Sequence, residues 1–392
     1  MKQGWEIKKL GEVCDFQNGF AFKSSTFRNE GHPILRISDI QNLQILTNKL
    51  VYFCETDYNV DFGQFRVFPN DIVIAMSGGT TGKVGINKSS LTLYLNQRVG
   101  KFMPREGLNK DFLFYFLLTK QKESLNMAEG SAQPNLSTAQ IKKMEIPVPS
   151  LLEQGRIVGV LDAAFAKIDA LKENAQKNLE NAKALFQQVL KQELTPKPNW
   201  QTKKLGEVCV IVGGSTPKTN IKEYWENGVY NWITPADLKG EKYQGETHRK
   251  LSEIALQRNS LKILPIGSVL LSSRAPIGKV AITTVPMFTN QGFKSAICSE
   301  EINNEFLYWF LYANTDYLNS LGTGATFKEI SKRTTENIKI SLPPLVEQIK
   351  VVKILNAVFK RIDVLIANAE KTIAECDALK QAVLHRAFNG EL

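Results

Sequence analysis

The chain has 392 residues and a mass of 44.0 kDa, which is enough for two or three domains at about 100–200 residues each. A content of 43% hydrophobic and 22% charged residues is typical of globular proteins and excludes wholesale disorder and a collagen-like fibre. The 49 Lys and Arg residues exceed the 39 Asp and Glu residues, so a net charge of +10 permits a polyanionic partner without requiring one.

Apolar runs and cysteine spacing narrow the class of protein further. No apolar run approaches the roughly 18–20 residues of a membrane span. The five cysteines lie far apart and only three histidines are present, so the sequence predicts neither a zinc finger nor a disulfide framework. We expect a protein of a reducing cytoplasm, with no metal site and no membrane contact.

The sequence is an internal repeat with a period of about 195 residues. The stretch from Trp5 to Cys14 returns as Trp200 to Cys209, and Pro149 to Gln154 (PSLLEQ) returns as Pro343 to Gln348 (PPLVEQ). Two copies are too few for a solenoid. The sequence therefore predicts a duplicated unit with pseudo-two-fold symmetry.

Each repeat begins with a globular domain, the first domain at 1–149 and the second domain at 200–343. Short β-branched runs, such as 68–74 and 267–271, alternate with Gly, Pro, Asn and Ser, which is typical of strands and turns. One aromatic-rich helical segment follows in each copy, at 110–120 and 304–314. We predict the α+β class, with two α/β domains in tandem.

Each repeat ends in a long helix, predicted at 150–193 and 344–388, with a C-terminal tail to residue 392. Ser150 and Glu153 form a capping-box pattern at the start of the first helix, and Pro344 opens the second. Pro196 and Pro198 in the linker at 194–199 require the first helix to end before them.

Both helices carry a heptad pattern that predicts a coiled coil. The predicted seam has Asn178 and Thr372 at equivalent polar positions, where a polar residue fixes register at some cost in stability. The main seam positions are Ile157, Leu161, Ile168, Leu171, Asn178, Leu185 and Val189 in the first helix and Val351, Leu355, Ile362, Leu365, Thr372, Leu379 and Val383 in the second. The alternative is that each helix packs only on its own globular domain.

Antiparallel pairing of the helices would make them a spacer between the two domains. The seam from Ile157 to Val189 spans roughly 50 Å at 1.5 Å per residue.

Catalytic signatures are missing from the sequence. Residues 77–84 resemble a phosphate-binding loop, but the spacing is one residue short and Val84 replaces the Ser or Thr that binds magnesium. Neither a G-x-S-x-G nor an H-E-x-x-H pattern occurs, and none of the three histidines has a counterpart in the other repeat. We therefore predict a protein that is not an enzyme and binds no cofactor itself.

Residue types suited to nucleic acid lie instead in the turns of both domains. Arg and Lys recognise guanine, Asn and Gln recognise adenine, and hydroxyls bind phosphate. The candidates in the first domain are Lys23, Ser24, Arg36, Ser77, Thr80, Thr81, Lys83, Asn96, Gln97 and Arg98, together with Gln133-Pro134-Asn135. Those in the second are Ser215, Thr216, Lys218, Thr234, Ser272, Ser273, Arg274, Lys279, Asn290, Gln291 and Lys328.

The framework matches between the two copies while the turns differ, so two different half-sites are expected. Residues 78–81 read GGTT, whereas the corresponding residues 273–276 read SRAP. A dimer with two identical reading domains would instead favour a palindrome.

The chain resembles the specificity subunit of a type I restriction–modification enzyme over nearly its whole length. The resemblance is carried by strings in a fixed order: GFAFKS at 19–24, GGSTP at 213–217, EYW at 223–225, WITPADL at 232–238, SSRAPIG at 272–278, the two Pro-x-x-x-Glu-Gln helix starts, and AFNGEL at 387–392.

The resemblance implies two target-recognition domains that read a bipartite, asymmetric DNA sequence across a gap set by an antiparallel helical spacer. It also implies two modification subunits that methylate adenine with S-adenosylmethionine, and restriction subunits that use ATP and Mg²⁺. Two alternatives remain open. One is the recognition subunit of a related system with a fused methylase and nuclease, and the other is a coiled-coil scaffold without a DNA function.

Overall fold

The computed structural model describes residues 4–128, 135–274, 276–324 and 328–392. The chain forms two compact units, unit 1 (1–175 and 371–392) and unit 2 (176–370). Each unit combines one globular domain with parts of both long helices. Within the described segments, no helix has the length and apolarity needed to cross a membrane.

In its described residues, the first domain contains short strands and four α-helices. Its strands are β1 (Glu6–Lys9), β2 (Cys14–Asn18), β3 (His32–Leu35), β4 (Ile40–Gln41), β5 (Gln44–Ile45), β6 (Val51–Phe53), β7 (Arg66–Val67), β8 (Ile72–Ala75), β9 (Val84–Ile86), β10 (Leu93–Leu95), β11 (Val99–Pro104) and β12 (Glu145–Val148). Its helices are α1 (Leu10–Val13), α2 (Lys110–Thr119), α3 (Gln121–Ala128) and α4 (Thr138–Lys143). The first long helix, α5 (Leu151–Glu193), follows.

The second domain repeats this plan. Its strands are β13 (Gln201–Lys204), β14 (Cys209–Gly213), β15 (Tyr230–Ile233), β16 (Tyr243–Gln244), β17 (Lys250–Leu251), β18 (Val269–Leu271), β19 (Val280–Thr283), β20 (Phe288–Thr289), β21 (Lys294–Cys298) and β22 (Lys339–Leu342). Its helices are α6 (Leu205–Val208), α7 (Glu253–Arg258), α8 (Asn304–Ala313), α9 (Thr315–Ser320) and α10 (Lys332–Glu336), and the second long helix is α11 (Leu345–Phe388).

The sheets of the two domains follow the same plan, with one strand more in the main sheet and in the smaller sheet of the first domain. The main sheet has the order β2-β11-β8-β9-β5-β4 in the first domain and β14-β21-β18-β19-β16 in the second. A smaller sheet accompanies it, β6-β3-β10-β7 or β17-β15-β20, and the first and last strands of each domain pair as β1-β12 or β13-β22. The predicted α/β architecture and internal repeat are confirmed.

The aromatic segments form the helical part of each hydrophobic core. Asn109 caps α2 by accepting hydrogen bonds from the amides of Asp111 and Phe112, and Asn303 caps α8 in the same way. Residues 112–118 of α2 are all buried, as are most of the apolar residues of α8. This burial explains the nearly uninterrupted apolar sequence of both segments, which pack between the main sheet and the long helices.

The long helices end within a residue of the predicted positions and pair within each unit. In unit 1, Lys172 bonds Asp377 at 2.6 Å and Lys380 pairs with Asp169, so α5 and α11 run antiparallel there. In unit 2, the rings of Phe186 and Phe359 lie 5.4 Å apart. Both helices also contribute to the cores of the globular domains, so each helix packs on the domains as well as on the other helix.

The buried face of each helix differs from the predicted seam at three positions in the first helix and at two in the second. Ile157, Leu161, Ile168, Val351, Leu355 and Ile362 are buried as predicted, and Val189, Thr372 and Val383 are half-buried. Leu171, Leu185, Leu365 and Leu379 are instead 51%, 50%, 53% and 49% exposed, and Asn178 is exposed. The following residues, including Phe186, Ile366 and Lys380, are buried or half-buried in their place.

The helices turn this face inward because they pack against a domain as well as against each other. Phe165 contacts the ring of Tyr115 at 5.3 Å, and Phe186 contacts Trp309 at 5.8 Å. These contacts bury Phe165 and Phe186, and Phe186 directly follows the predicted seam residue Leu185. The register role predicted for Asn178 is therefore wrong, because its side chain is not in the seam.

Candidate nucleic-acid interface

In the first domain, four strand ends meet at one edge of the main sheet. Strand β11 runs antiparallel to β2 and β8, with Gly100 opposite Asn18 and Val99 opposite Ala75. Strand β9 runs antiparallel to β8. The segments 19–26, 76–83 and 96–98 therefore lie at the same edge, which we name loop edge 1.

Direct backbone contacts hold loop edge 1 together. The amide of Met76 donates to the carbonyl of Arg98 at 2.8 Å, and the amide of Gln97 donates to the carbonyl of Phe20 at 2.8 Å. Gly19 approaches so closely that a Cβ there would lie 2.1 Å from the carbonyl oxygen of Asn96. This contact accounts for the glycine that begins the GFAFKS string.

The second domain builds an equivalent edge. Strand β21 runs antiparallel to β14 and β18, and β18 runs antiparallel to β19. The segments 214–221, 272–274, 276–279 and 290–293 meet there, joined by 234–238 and 328–330, and we name this set loop edge 2. The amide of Ser273 donates to the carbonyl of Gly292 at 2.8 Å, and the amide of Asn290 donates to the carbonyl of Ile233 at 3.0 Å.

Gly214 repeats the role of Gly19. A Cβ at Gly214 would lie 2.2 Å from the carbonyl oxygen of Asn290. Each loop edge thus depends on a glycine at the equivalent position, directly after β2 in the first domain and directly after β14 in the second.

The structure brings all the predicted residues of each domain to or beside its loop edge, but with different exposure. The exposed ones are Lys23, Ser24, Lys83, Gln97 and Arg98 at loop edge 1 and Ser215, Thr216, Lys218, Gln291 and Lys328 at loop edge 2. The half-buried ones are Arg36, Thr80, Asn96, Thr234, Arg274, Lys279 and Asn290, and the buried ones are Ser77, Thr81, Ser272 and Ser273. Asn135 bridges to Ser77, whereas Gln133 and Pro134 lie outside the described residues.

Several of the less exposed residues bond within the domain. The hydroxyl of Ser272 donates to the carbonyl of Pro276 at 2.7 Å and accepts from the amide of Lys279 at 2.8 Å. The Lys279 ammonium donates to the carbonyls of Pro235 and Leu238 at 3.1 and 2.9 Å. These hydrogen bonds stabilise the conformation of the loop, and the exposed residues of loop edge 2 do not take part in them.

Arg36 is held in a similar way. Its guanidinium donates to the carbonyl of Lys49 at 3.0 Å and lies 3.4 Å from the carboxylate of buried Asp39. It lies beside loop edge 1 because the amide of Asn96 donates to the neighbouring Leu35 carbonyl.

The exposed cations of the two edges lack such partners. Within the described part of the chain, the side chains of Lys23, Lys83 and Arg98 at loop edge 1 form no ion pair, nor do those of Lys218 and Lys328 at loop edge 2. Both edges therefore present unneutralised positive charge, as a polyanion-binding surface requires.

Two supporting residues were missed by sequence reasoning. The hydroxyl of Tyr58 accepts a hydrogen bond from the amide of Lys23 at 3.0 Å and so fixes the turn at 24–26. At loop edge 2, the Lys294 ammonium contacts Ser273 Oγ at 3.3 Å and the Glu329 carboxylate at 3.0 Å. Lys294 lies three positions after the candidate Gln291. Because it lies in a strand, the sequence did not indicate that its side chain contacts the loops.

Comparisons with known proteins show the family to which the chain belongs. A family model described as "Type I restriction modification DNA specificity domain" matches residues 2–181 and again 197–374. Among curated proteins of Methanocaldococcus jannaschii, the chain is 26% identical over its whole length to the "Putative type I restriction enzyme MjaX specificity subunit", covering 94% of it. It is also 41% identical over 164 residues to the "Type I restriction enzyme MjaIX specificity subunit", which is 40% of this chain and 37% of that protein.

A solved structure shares the fold. A chain described as "Structural basis underlying complex assembly and conformational transition of the type I R-M system" superposes with a TM-score of 0.80 at 22% identity, covering 100% of this chain and 99% of that one.

Two domain matches that together cover most of the chain establish its class. The chain belongs to the family of type I restriction–modification specificity subunits and contains two target-recognition domains. Specificity subunits are non-catalytic, which confirms the prediction that this chain is not an enzyme.

Proposed function

We propose that this specificity subunit binds double-stranded DNA in a sequence-specific manner, with one half-site read at each loop edge. The observation that carries the proposal is the convergence of the predicted contact residues at equivalent edges of both domains. Because the two edges share a scaffold and differ in their loops, the target is asymmetric and bipartite.

The residues of each edge divide between two tasks. Exposed Lys23, Lys83, Lys218 and Lys328 contact phosphates and fix the position of the domain on the duplex. Gln97 and Arg98 are suited to base edges, since Gln pairs with adenine and Arg with guanine.

The long helices serve as the spacer that fixes the gap between half-sites. Continuous helices of 43 and 44 residues contribute to both units. An α-helix keeps a constant rise of about 1.5 Å per residue, so its length translates into a defined number of base pairs.

The chemistry of the complex comes from partner subunits. We propose that two modification subunits supply S-adenosylmethionine-dependent adenine methylation, and that restriction subunits supply ATP- and Mg²⁺-dependent steps. The exposed leucines of the helices are suited to dock the modification subunits, because Leu171 and Leu379 in unit 1 have counterparts in Leu365 and Leu185 in unit 2. Exposed apolar groups of this kind are typical of protein interfaces.

Methylation mapping tests the proposal. Genomic adenine methylation is mapped in cells that express the chain with its modification subunit, and in cells that express the modification subunit alone. A gapped, two-part motif that depends on the chain is the expected result. Absence of any chain-dependent methylation from a folded complex would contradict it.

A further inference from the structure

A buried glutamine ends each of the repeated helix-start motifs PSLLEQ and PPLVEQ. Gln154 and Gln348 are both 0% exposed, although each lies in the first turns of a long helix with much solvent-facing surface. A fully buried amide requires partners for its oxygen and its nitrogen.

In unit 1, the partners of Gln154 all lie around the junction of domain and helix. Its Oε1 accepts from the amide of Asn109 at 2.7 Å, and its Nε2 donates to the carbonyls of Gly107 and Pro149 at 3.0 and 2.8 Å. Asn109 is the residue that caps α2. Gln154 thus joins the start of α5 to the start of the core helix of the first domain.

In unit 2, Gln348 makes the same three bonds. Its Oε1 accepts from the amide of Asn303, the cap of α8, at 2.8 Å. Its Nε2 donates to the carbonyls of Glu301 and Pro343, both at 2.9 Å. We call each of these arrangements a glutamine clamp.

A second attachment lies eight residues further along each helix, about 12 Å from the clamp. In unit 1, the hydroxyl of Tyr115 donates to Asp162 at 2.5 Å. In unit 2, the indole of Trp309 donates to Asn356 at 3.0 Å. Two attachments at different levels fix both the tilt and the rotation of a domain on its helix.

The attachment in unit 2 includes an ion pair. Asn356 also donates to Glu305 at 2.7 Å, and the ammonium of Lys242 bonds both Asn356 and Glu305. Burial opposes the ionisation of Glu305, but the hydrogen bonds from Lys242 and Asn356 hold the pKa of its carboxyl below the ordinary value. The second domain is therefore joined to α11 by more bonds than join the first to α5.

We propose that Gln154 and Gln348 are positioning residues that set the angle of each target-recognition domain on its spacer helix, and thereby restrict the subunit to one gap length. The inference rests on the proposed function. Only residues 149–150 and 343–344 separate the last strand of each domain from its helix, so a change of angle at the clamp moves the whole loop edge. The bases contacted by the loops do not depend on the clamp.

The test measures gap tolerance in the assembled methyltransferase. Full-length wild type, Gln154→Leu and Gln348→Leu, each in complex with the modification subunit, methylate a DNA library in which the two half-sites are separated by the native gap or by one or two base pairs more or less. We expect methylation at the neighbouring gaps to rise about tenfold in each variant, the factor that corresponds to the loss of one net hydrogen bond. The half-site bases stay unchanged.

Two further variants separate positioning from stability. Leu264→Ala removes a buried side chain from a core cluster of the second domain that contains no helix residue, and it should lower the Tm while keeping a single gap. Tyr115→Phe loosens the second attachment without removing core volume, and it should broaden the gap even if Gln154→Leu fails to fold.

The possible results distinguish a failure of this inference from a failure of the proposed function. A gapped motif in the wild type with the same single gap in the clamp variants and in Tyr115→Phe would overturn the inference alone. A wild-type motif without two parts would overturn the proposed function and the inference with it.

Discussion

Ser77 and Ser272 are buried serines just beyond β8 and β18 at the two loop edges, and they differ in their bonding. Both are buried, at 8% and 0% exposure. Ser272 makes two hydrogen bonds within its loop, whereas the hydroxyl of Ser77 has no partner among the described residues. The two buried serines therefore have different structural roles in their loops.

Alanine at these two positions gives a matched pair of predictions. Ser272→Ala should lower the free energy of unfolding by about 1–3 kcal/mol, because it leaves the Lys279 amide and the Pro276 carbonyl without their partner. Ser77→Ala should change it by less than about 0.5 kcal/mol. Urea unfolding of the full-length chain measures both, and equal losses would contradict the difference in bonding.

Lys83 and Lys88 test the position of the DNA surface. Both are exposed, but Lys83 precedes β9 at loop edge 1 and Lys88 follows the strand at its other end. Lys83→Gln should weaken binding of the assembled complex to all DNA sequences and lower the slope of log K against log salt by about one. Lys88→Gln is the control, and an equal effect of both variants would place the DNA elsewhere.

The sequence predicted which segments form the loop edges but not which side chains remain free. Residue type identifies a candidate such as Lys279, whose ammonium is in fact bonded to two carbonyls of its own domain. Whether a turn side chain bonds inward depends on the backbone path of distant segments, here 235–238. Spacing along the chain carries no signal of that path.

At the scale of elements, the long helices show both the strength and the limit of periodicity. Their bounds were predicted to within a residue because Pro344 and the two linker prolines mark them in the sequence. The heptad pattern was wrong at the five exposed positions, because Phe165 and Phe186 pack against aromatic residues of the domains. A heptad pattern that is interpreted for two helices alone does not account for the packing of each helix against a globular domain.

The corrected face separates two kinds of apolar residue on α11. Ile362 is 3% exposed, so Ile362→Ala should destabilise the chain by about 2–5 kcal/mol. Leu365→Ala should have less than about 0.5 kcal/mol of effect on stability and should instead weaken binding of the modification subunit.

Thermal unfolding and titration with the modification subunit measure the two effects. Lys360→Ala, an exposed polar position on the same helix, is the control for binding. A large loss of stability in Leu365→Ala would contradict this assignment and indicate that Leu365 lies in the seam that the heptad pattern predicted.

At the scale of the whole molecule, the duplication explains why so much could be predicted. Each feature of one copy could be checked against the other, as with Gly19 and Gly214 or Gln154 and Gln348. The division into compact units was not evident from the sequence, because unit 1 joins segments 1–175 and 371–392. Such a unit is held by contacts between distant parts of the chain, which composition and spacing do not show.

The central claim is that two reading domains are held at a distance set by the helices. The most direct measurement inserts one heptad into each helix at the boundary between the units, after Ala175 and after Glu370, and maps the methylation motif of the assembled complex. Seven residues add about 10 Å, or about three base pairs. The account predicts a longer gap of about this size between two unchanged half-sites, and altered half-site bases with an unchanged gap would contradict it.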